Sequence, residues 1–110
     1  MKVAYIFSTA NAQRILDKMI IPQMLEQRHG AEVAGMMFFF DNTFLLTAGS
    51  STGDRLQKIH DKFGTLLMAC DLCAIERGID DKLVAGAGIG CFPNLYAALA
   101  GAGIDQVVTL

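Results

Sequence analysis

Leu66-Leu67-Met68-Ala69-Cys70-Asp71-Leu72-Cys73-Ala74-Ile75-Glu76-Arg77-Gly78-Ile79 changes character part-way along. Leu66–Ala69 is a short unbroken apolar run, the pattern of a strand buried on both faces. From Asp71 onward the pattern becomes that of a short helix reaching Arg77, with Asp71 as its cap and Gly78 as its stop. A strand feeding directly into a helix is half of a β-α-β unit, and the chain repeats it. Val3–Phe7 reads as a strand. Ala12, Ile15, Leu16, Met19, Ile20, Met24 and Leu25 then follow at helical spacing, predicting a helix over 11–29 that Pro22 kinks or divides and Gly30 ends. Glu32–Phe39 is a second strand. Residues 41–53 form a loop with a short extended piece at Phe44–Thr47. Asp54 caps a helix carrying Leu56, Ile59 and Phe63, and Gly64 closes it. Leu83–Ile89 is a glycine-rich fourth strand, Pro93 opens a helix reaching about Ala100, and Gln106–Thr109 is a fifth strand.

Strand alternating with helix predicts an α/β fold: a single three-layer domain over residues 1–110, with a mostly parallel five-stranded sheet and helices on both faces. Right-handed crossovers favour a doubly wound, flavodoxin-like strand order. In such folds ligands and reactive groups gather at the carboxyl ends of the strands.

Composition narrows the function. Hydrophobic residues make up 53% of the chain and charged residues 18%, an apolar surplus that predicts a buried subunit interface. The net charge of −2 and the lack of any basic run argue against a nucleic-acid partner. The longest apolar run, Val33–Phe40, falls short of the roughly 20 residues that span a bilayer, so no membrane role is expected. The start has neither the long apolar core nor the cleavage motif of a signal peptide, which predicts a cytoplasmic protein. Three cysteines, an odd number, argue against a disulfide framework and for thiol, metal or redox chemistry.

Those cysteines all fall at predicted helix starts: Cys70 at the end of strand three, Cys73 in the first turn after it, and Cys91 just before Pro93. A helix start stabilises a thiolate. If strands three and four are neighbours, the three thiols share one edge of the sheet. Three chemistries fit. Cys70 carries sulfur as a persulfide, with Cys73 or Cys91 as its partner. Alternatively, Cys70 and Cys73 cycle between dithiol and disulfide. In the third, Cys70, Cys73 and Cys91 form a soft-metal or small-ligand module, a zinc ion taking its fourth ligand from His60, Asp71 or another subunit.

The remaining candidates have plainer readings. His29 is a solvated histidine at a helix end, and His60 lies on a helix surface. Gly49-Ser50-Ser51-Thr52-Gly53-Asp54 lacks the ending of a phosphate loop. Gly86-Ala87-Gly88-Ile89-Gly90 reads as a close-packed strand or tight turn. Met19, Met24, Met36, Met37 and Met68 fill core or interface, and Phe38, Phe39 and Phe40 supply strand core and a subunit contact.

The segment from Leu67 to Ile79 resembles the DsrE/DsrF-like (TusD-related) family of sulfur-relay proteins. The shared pattern is an apolar strand, a cysteine, a short helix and Arg-Gly followed by an apolar residue. Many members also have a second cysteine three places on, as Cys73 is here. The Gly-Ala-Glu-Val turn into strand two and the terminal Asp105-Gln106-Val107-Val108-Thr109 strand agree in outline. The resemblance implies a DsrE-like fold and a sulfurtransferase-like carrier with Cys70 as the sulfur-bearing residue and Cys73 beside it. It implies no cofactor and no resident metal. It also implies sulfur donor and acceptor proteins as partners and a homo-oligomer, trimer or hexamer. Asp71 and Cys91 depart from the family pattern, and a carboxylate next to the nucleophile opposes thiolate formation.

Overall fold

Right-handed crossovers dictate which face of a parallel sheet each helix covers. The computed structural model describes residues 1–110. Its strands are β1 (Lys2–Phe7), β2 (Glu32–Phe38), β3 (Leu66–Cys70), β4 (Ala87–Gly90) and β5 (Gln106–Thr109). They form one five-stranded sheet, parallel throughout, in the order β4-β3-β2-β1-β5. The steps from β1 to β4 run one way across the sheet, so their crossovers fall on one face. The return from β4 to β5 runs the other way and sends its helix to the opposite face.

The helices follow that rule. The segments α1 (Asn11–Ile15) and α2 (Ile21–Leu25) join through a π-helical turn at Leu16–Ile20 and, with α3 (Ser51–Phe63), cover the first face. The larger core lies there and includes Phe7, Leu16, Ile21, Phe38, Leu56, Ile59 and Leu67. A short helix, α4 (Asp71–Glu76), follows β3. On the second face α5 (Phe92–Leu99) covers a smaller core of Met37, Phe39, Cys70, Cys73 and Leu95. Because α5 is the only helix sent to that side, it leaves a groove of about 290 Å³ between itself and the sheet, lined by Ala4, Ile6, Met37, Met68, Leu95 and Leu99 among others. No helix is long and apolar enough to cross a membrane.

The α/β class, the five strands and the two covered faces are as the sequence predicts, but the strand order is not flavodoxin-like. A flavodoxin-like sheet runs 2-1-3-4-5. Here β5, not β3, fills the second side of β1, pairing Val3 with Gln106 and Tyr5 with Val108. Flanking bonds fix this: the Lys2 N–H donates to the Asp105 carboxylate at 2.7 Å and the Leu110 N–H to the Ile6 carbonyl at 2.7 Å. β2 therefore lies between β1 and β3, doubly paired, which suits its unbroken apolar run.

Local expectations shift where backbone chemistry overrides apolar spacing. In a regular helix the Pro22 ring would clash with the Lys18 carbonyl; the wider π-helical turn before it accommodates the proline without a break. The helix ends at Leu25, and Gln27 and Gly30 take left-handed conformations. Ser50, not Asp54, caps α3, accepting the Gly53 N–H at 2.9 Å, so that helix begins earlier than expected. Of the extended piece expected at Phe44–Thr47 only Thr47 is extended; Phe44–Leu46 belong to a 3-10 helix, Phe40–Leu46. Strand four is shorter than predicted, with Leu83 making only an isolated antiparallel bridge to Thr47. In the turn of π-helix Asp17 accepts from Thr52 (3.1 Å) and pairs with Arg55. Burial alone would raise the Asp17 pKa, but these hydrogen bonds and the guanidinium charge outweigh it and hold the carboxyl below its ordinary value.

Gly90 governs how α5 meets the sheet. A Cβ there would lie 2.7 Å from the Asn94 Cβ, so only glycine lets the helix turn back over the end of β4. Gly90→Ala is expected to lower unfolding free energy by about 1–3 kcal/mol in urea titrations, as overpacking does. Gly88→Ala meets nothing nearer than 3.9 Å and serves as the control; it is expected to stay within about 0.5 kcal/mol of wild type.

Candidate functional site

The register of β3 on β4 builds the site. Cys70, the last residue of β3, pairs with Gly90, the last residue of β4. The chain then leaves both strands on the same edge, so Asp71 and Cys91 arrive side by side. The Cys70 and Cys91 sulfurs and a carboxylate oxygen of Asp71 all lie within 4.8 Å of one another. All three cysteines are free thiols. Cys73 lies one turn along α4, buried like Cys70 and in contact with it. The expected convergence of thiols on one edge of the sheet is therefore present.

Hydrogen bonds hold the parts in place. Cys91 is the N-cap residue of α5, its N–H donating to the Asn94 Oδ1 at 3.0 Å. Arg77 donates from Nη1 to the Cys73 carbonyl at 3.1 Å and from Nε to the Asp41 carboxylate at 2.8 Å. It thereby ties the end of α4 to the segment that follows β2. Asp71 is not the cap of α4. Cys70 occupies that position and Asp71 the first helical one, its Oδ1 accepting the Leu72 N–H at 2.7 Å.

The electrostatics of Cys70 run against the expectation of a stabilised thiolate. Burial is the largest influence and raises its pKa above an ordinary thiol. The Cys73 backbone N–H pulls the other way, though no capping hydrogen bond of normal geometry reaches the sulfur. The Cys73 side chain and the Asp71 charge push further upward. The net effect is a protonated Cys70 at neutral pH. Helix α4 supplies little compensation because it is only six residues long.

The other sequence candidates lie elsewhere. His60 bonds through Nδ1 to the Thr65 carbonyl (2.9 Å) at the end of α3 and packs against Gly86; it is not in the thiol cluster. Of the two side chains named as a fourth metal ligand, only Asp71 is brought to the cysteines. His29 is only partly exposed: Nε2 meets the Tyr5 hydroxyl at 2.8 Å, Nδ1 meets Gln23 at 2.9 Å, and burial lowers its pKa. Gly49–Asp54 forms the start of α3, with Ser50 as its cap.

One feature lies outside the sequence expectations. Phe39, in the core beside the thiols, stacks on Phe92 (5.3 Å between ring centres), and Phe92 stacks on Tyr96 (6.2 Å). Phe92 and Tyr96 are exposed, as is Leu72 at the start of α4. An apolar rim thus borders the cluster. Its signal was the four-residue spacing of two aromatics directly after Cys91.

Comparison with known proteins supports the architecture. No protein-family model and no curated protein matches the sequence. The chain superposes on the crystal structure of the ychN protein from E. coli with a TM-score of 0.69, over 99% of this chain and 97% of that one, at 18% identity. On MTH1491 of Methanobacterium thermoautotrophicum, a protein of unknown function, it gives a TM-score of 0.71 over 99% and 98% of the two chains, at 12% identity. The chain has the DsrE/DsrF-like fold. Within this DsrE/DsrF-like frame the thiols occupy the carboxyl edge of β3 and β4.

Because the Asp71 carboxylate raises the Cys70 pKa, Asp71→Asn removes one of the upward influences while keeping the oxygen that accepts from Leu72. In a Cys73→Ser/Cys91→Ser background, ultraviolet thiolate absorbance during a pH titration is expected to show the Cys70 inflection at lower pH in Asp71→Asn. It should stay above that of an ordinary thiol, because burial remains. An unchanged inflection would show that the carboxylate does not act on this sulfur.

Proposed function

We propose that this chain is a small sulfur carrier of the DsrE/DsrF-like sulfur-relay family, which accepts and passes sulfur as a persulfide on Cys70. The observation that carries this reading is the meeting of Cys70, Cys73 and Cys91 at the end of paired strands β3 and β4, in a fold shared with the DsrE/DsrF-like structures. In loading, the Cys70 thiolate attacks the outer sulfur of a donor persulfide. The new S–S bond forms on Cys70, the donor's S–S bond breaks, and its electron pair leaves on the donor thiolate. A raised pKa makes the thiolate scarcer but more nucleophilic once formed. The Asp71 carboxylate is the nearby group that can accept the thiol proton. Cys73, buried against Cys70, is the second thiol of the site. A cytoplasmic, reducing setting suits three free thiols.

Intact-mass measurement tests this. After incubation of the reduced protein with a low-molecular-weight persulfide and removal of the excess, wild type is expected to retain the mass of one added sulfur atom. In a Cys91→Ser background, so that only the buried thiols are read, Cys70→Ser is expected to retain at least ten-fold less. Absence of loading on wild type, or equal retention in the variant, would overturn the reading.

A soft-metal module is the second reading, and the grouping of Cys70, Asp71 and Cys91 favours it. Zinc in a structural site takes four ligands, and this group offers three. Stoichiometric metal in protein purified without chelator, lost in Cys91→Ser, would replace the carrier reading with this one.

We further propose that the carrier assembles as a homo-oligomer. The partly covered sheet face beside α5, with its groove lined by Met37, Met68 and Leu99 among others, supplies the apolar surface for it. Light scattering is expected to give a mass that is a multiple of the 11.9 kDa chain. A monomer at micromolar concentration would remove this proposal.

A further inference from the structure

A sulfur carrier that works on partner proteins needs a sulfur atom those partners can reach. Cys70 is 4% exposed and closed in by Met37, Phe39, Cys73 and Leu95. A cysteine held on another protein's surface cannot approach it in line with the S–S bond it must cleave. Cys73 is no better placed, being equally buried. Cys91 differs on three counts. It is partly exposed. It stands beside the apolar rim formed by Phe92 and Tyr96. Its sulfur lies within 4.8 Å of the Cys70 sulfur.

We infer that Cys91 is the exchange thiol of the carrier: it takes the sulfur stored on Cys70 and presents it to the cysteine of a partner protein. This rests on the carrier reading. The Cys91 thiolate attacks the outer sulfur of the Cys70 persulfide. A new S–S bond forms on Cys91, the bond to the Cys70 sulfur breaks, and its electron pair remains on Cys70. The proton that Cys91 gives up ends on the Cys70 thiolate, by way of the Asp71 carboxylate that lies within reach of both sulfurs. One persulfide is consumed and one is formed, so no oxidant or reductant is needed. The buried position is returned to its protonated thiol, the form burial favours. The partner's thiolate then attacks the outer sulfur on Cys91; the S–S bond to Cys91 breaks, its electron pair stays on Cys91, and Cys91 takes up the proton that the partner's thiol gave up. The exposed faces of Phe92 and Tyr96 give such a partner an apolar surface beside the reacting atom.

The test separates this step from loading. Cys91→Ser keeps a side chain favoured at a helix N-cap, so α5 is expected to form as before, checked by circular dichroism. Wild type and Cys91→Ser are loaded with a low-molecular-weight persulfide and then chased with either dithiothreitol or a reduced single-cysteine protein. The sulfur the variant retains before the chase reports its loading, and its discharge to dithiothreitol, a thiol small enough to enter the site, sets the reference rate for each protein. The variant's discharge to the protein thiol is expected to slow at least ten-fold against that reference. In wild type quenched during the protein chase, peptide mapping is expected to find part of the sulfur on the Cys91 peptide. If the loaded variant discharges to the protein thiol at the wild-type rate, the exchange role is wrong while the carrier reading stands. If wild type takes up no sulfur, the carrier reading itself has failed.

Discussion

The pairing of Cys70 with Gly90 is the constraint on which the site depends. Parallel neighbours leave a sheet on the same edge, so a residue following one strand is brought beside the residue following the other. That puts Asp71 next to Cys91 although they are far apart in sequence. Gly90 adds a second condition, because only a residue without a side chain lets α5 fold back at once over the strand end. Together they roof a thiol that an open strand end would leave in water. The roof also reverses the chemistry expected of a cysteine at a helix start. Short helix α4 contributes a single N–H toward the sulfur, while burial, a neighbouring thiol and a carboxylate all favour the proton.

Much of this was legible in the sequence. Unbroken apolar runs such as Glu32–Phe39 gave parallel strands because a strand covered on both faces needs no polar side. The placing of each cysteine after a strand gave the shared edge. The strand order was not legible, since β5 could take either side of the sheet by pattern alone. What decides it is a set of pairwise bonds around Lys2, Asp105 and Leu110 that no spacing announces. Cap identities also misled. Asp54 and Asp71 are good cap residues by type, yet Ser50 and Cys70 occupy those positions because the backbone turns there. The burial of Cys70 depends on Leu95 and Phe39, residues from two other elements, and only the assembled fold reports it.

The aromatic rim and the Arg77 link show how the site is framed from outside its own segment. Arg77 joins the Cys73 carbonyl to Asp41, so the first turn after β3 is linked to the first turn after β2. Phe39 reaches from the end of β2 to stack on Phe92, so β2 also supports α5. Phe40 follows with φ of +54°, a conformation that costs a non-glycine residue roughly 1–2 kcal/mol. That turn directs the chain from β2 into the 3-10 helix that carries Asp41.

The partnership of β5 with β1 has a consequence for how the molecule comes together in time. β1, β2 and β3 each pair with the strand next in sequence, so a growing chain can add the first four strands in turn from the ribosome. β5 must instead close a loop of about a hundred residues back to the first strand, as the Val3–Gln106 pair shows. Contacts across so long a loop form late. Helix α5 sits on that last crossover, so Cys70 is in place on β3 before its cover arrives. In that order of assembly Cys70, sheltered in the finished fold, stays open to solvent until α5 and the final strand dock.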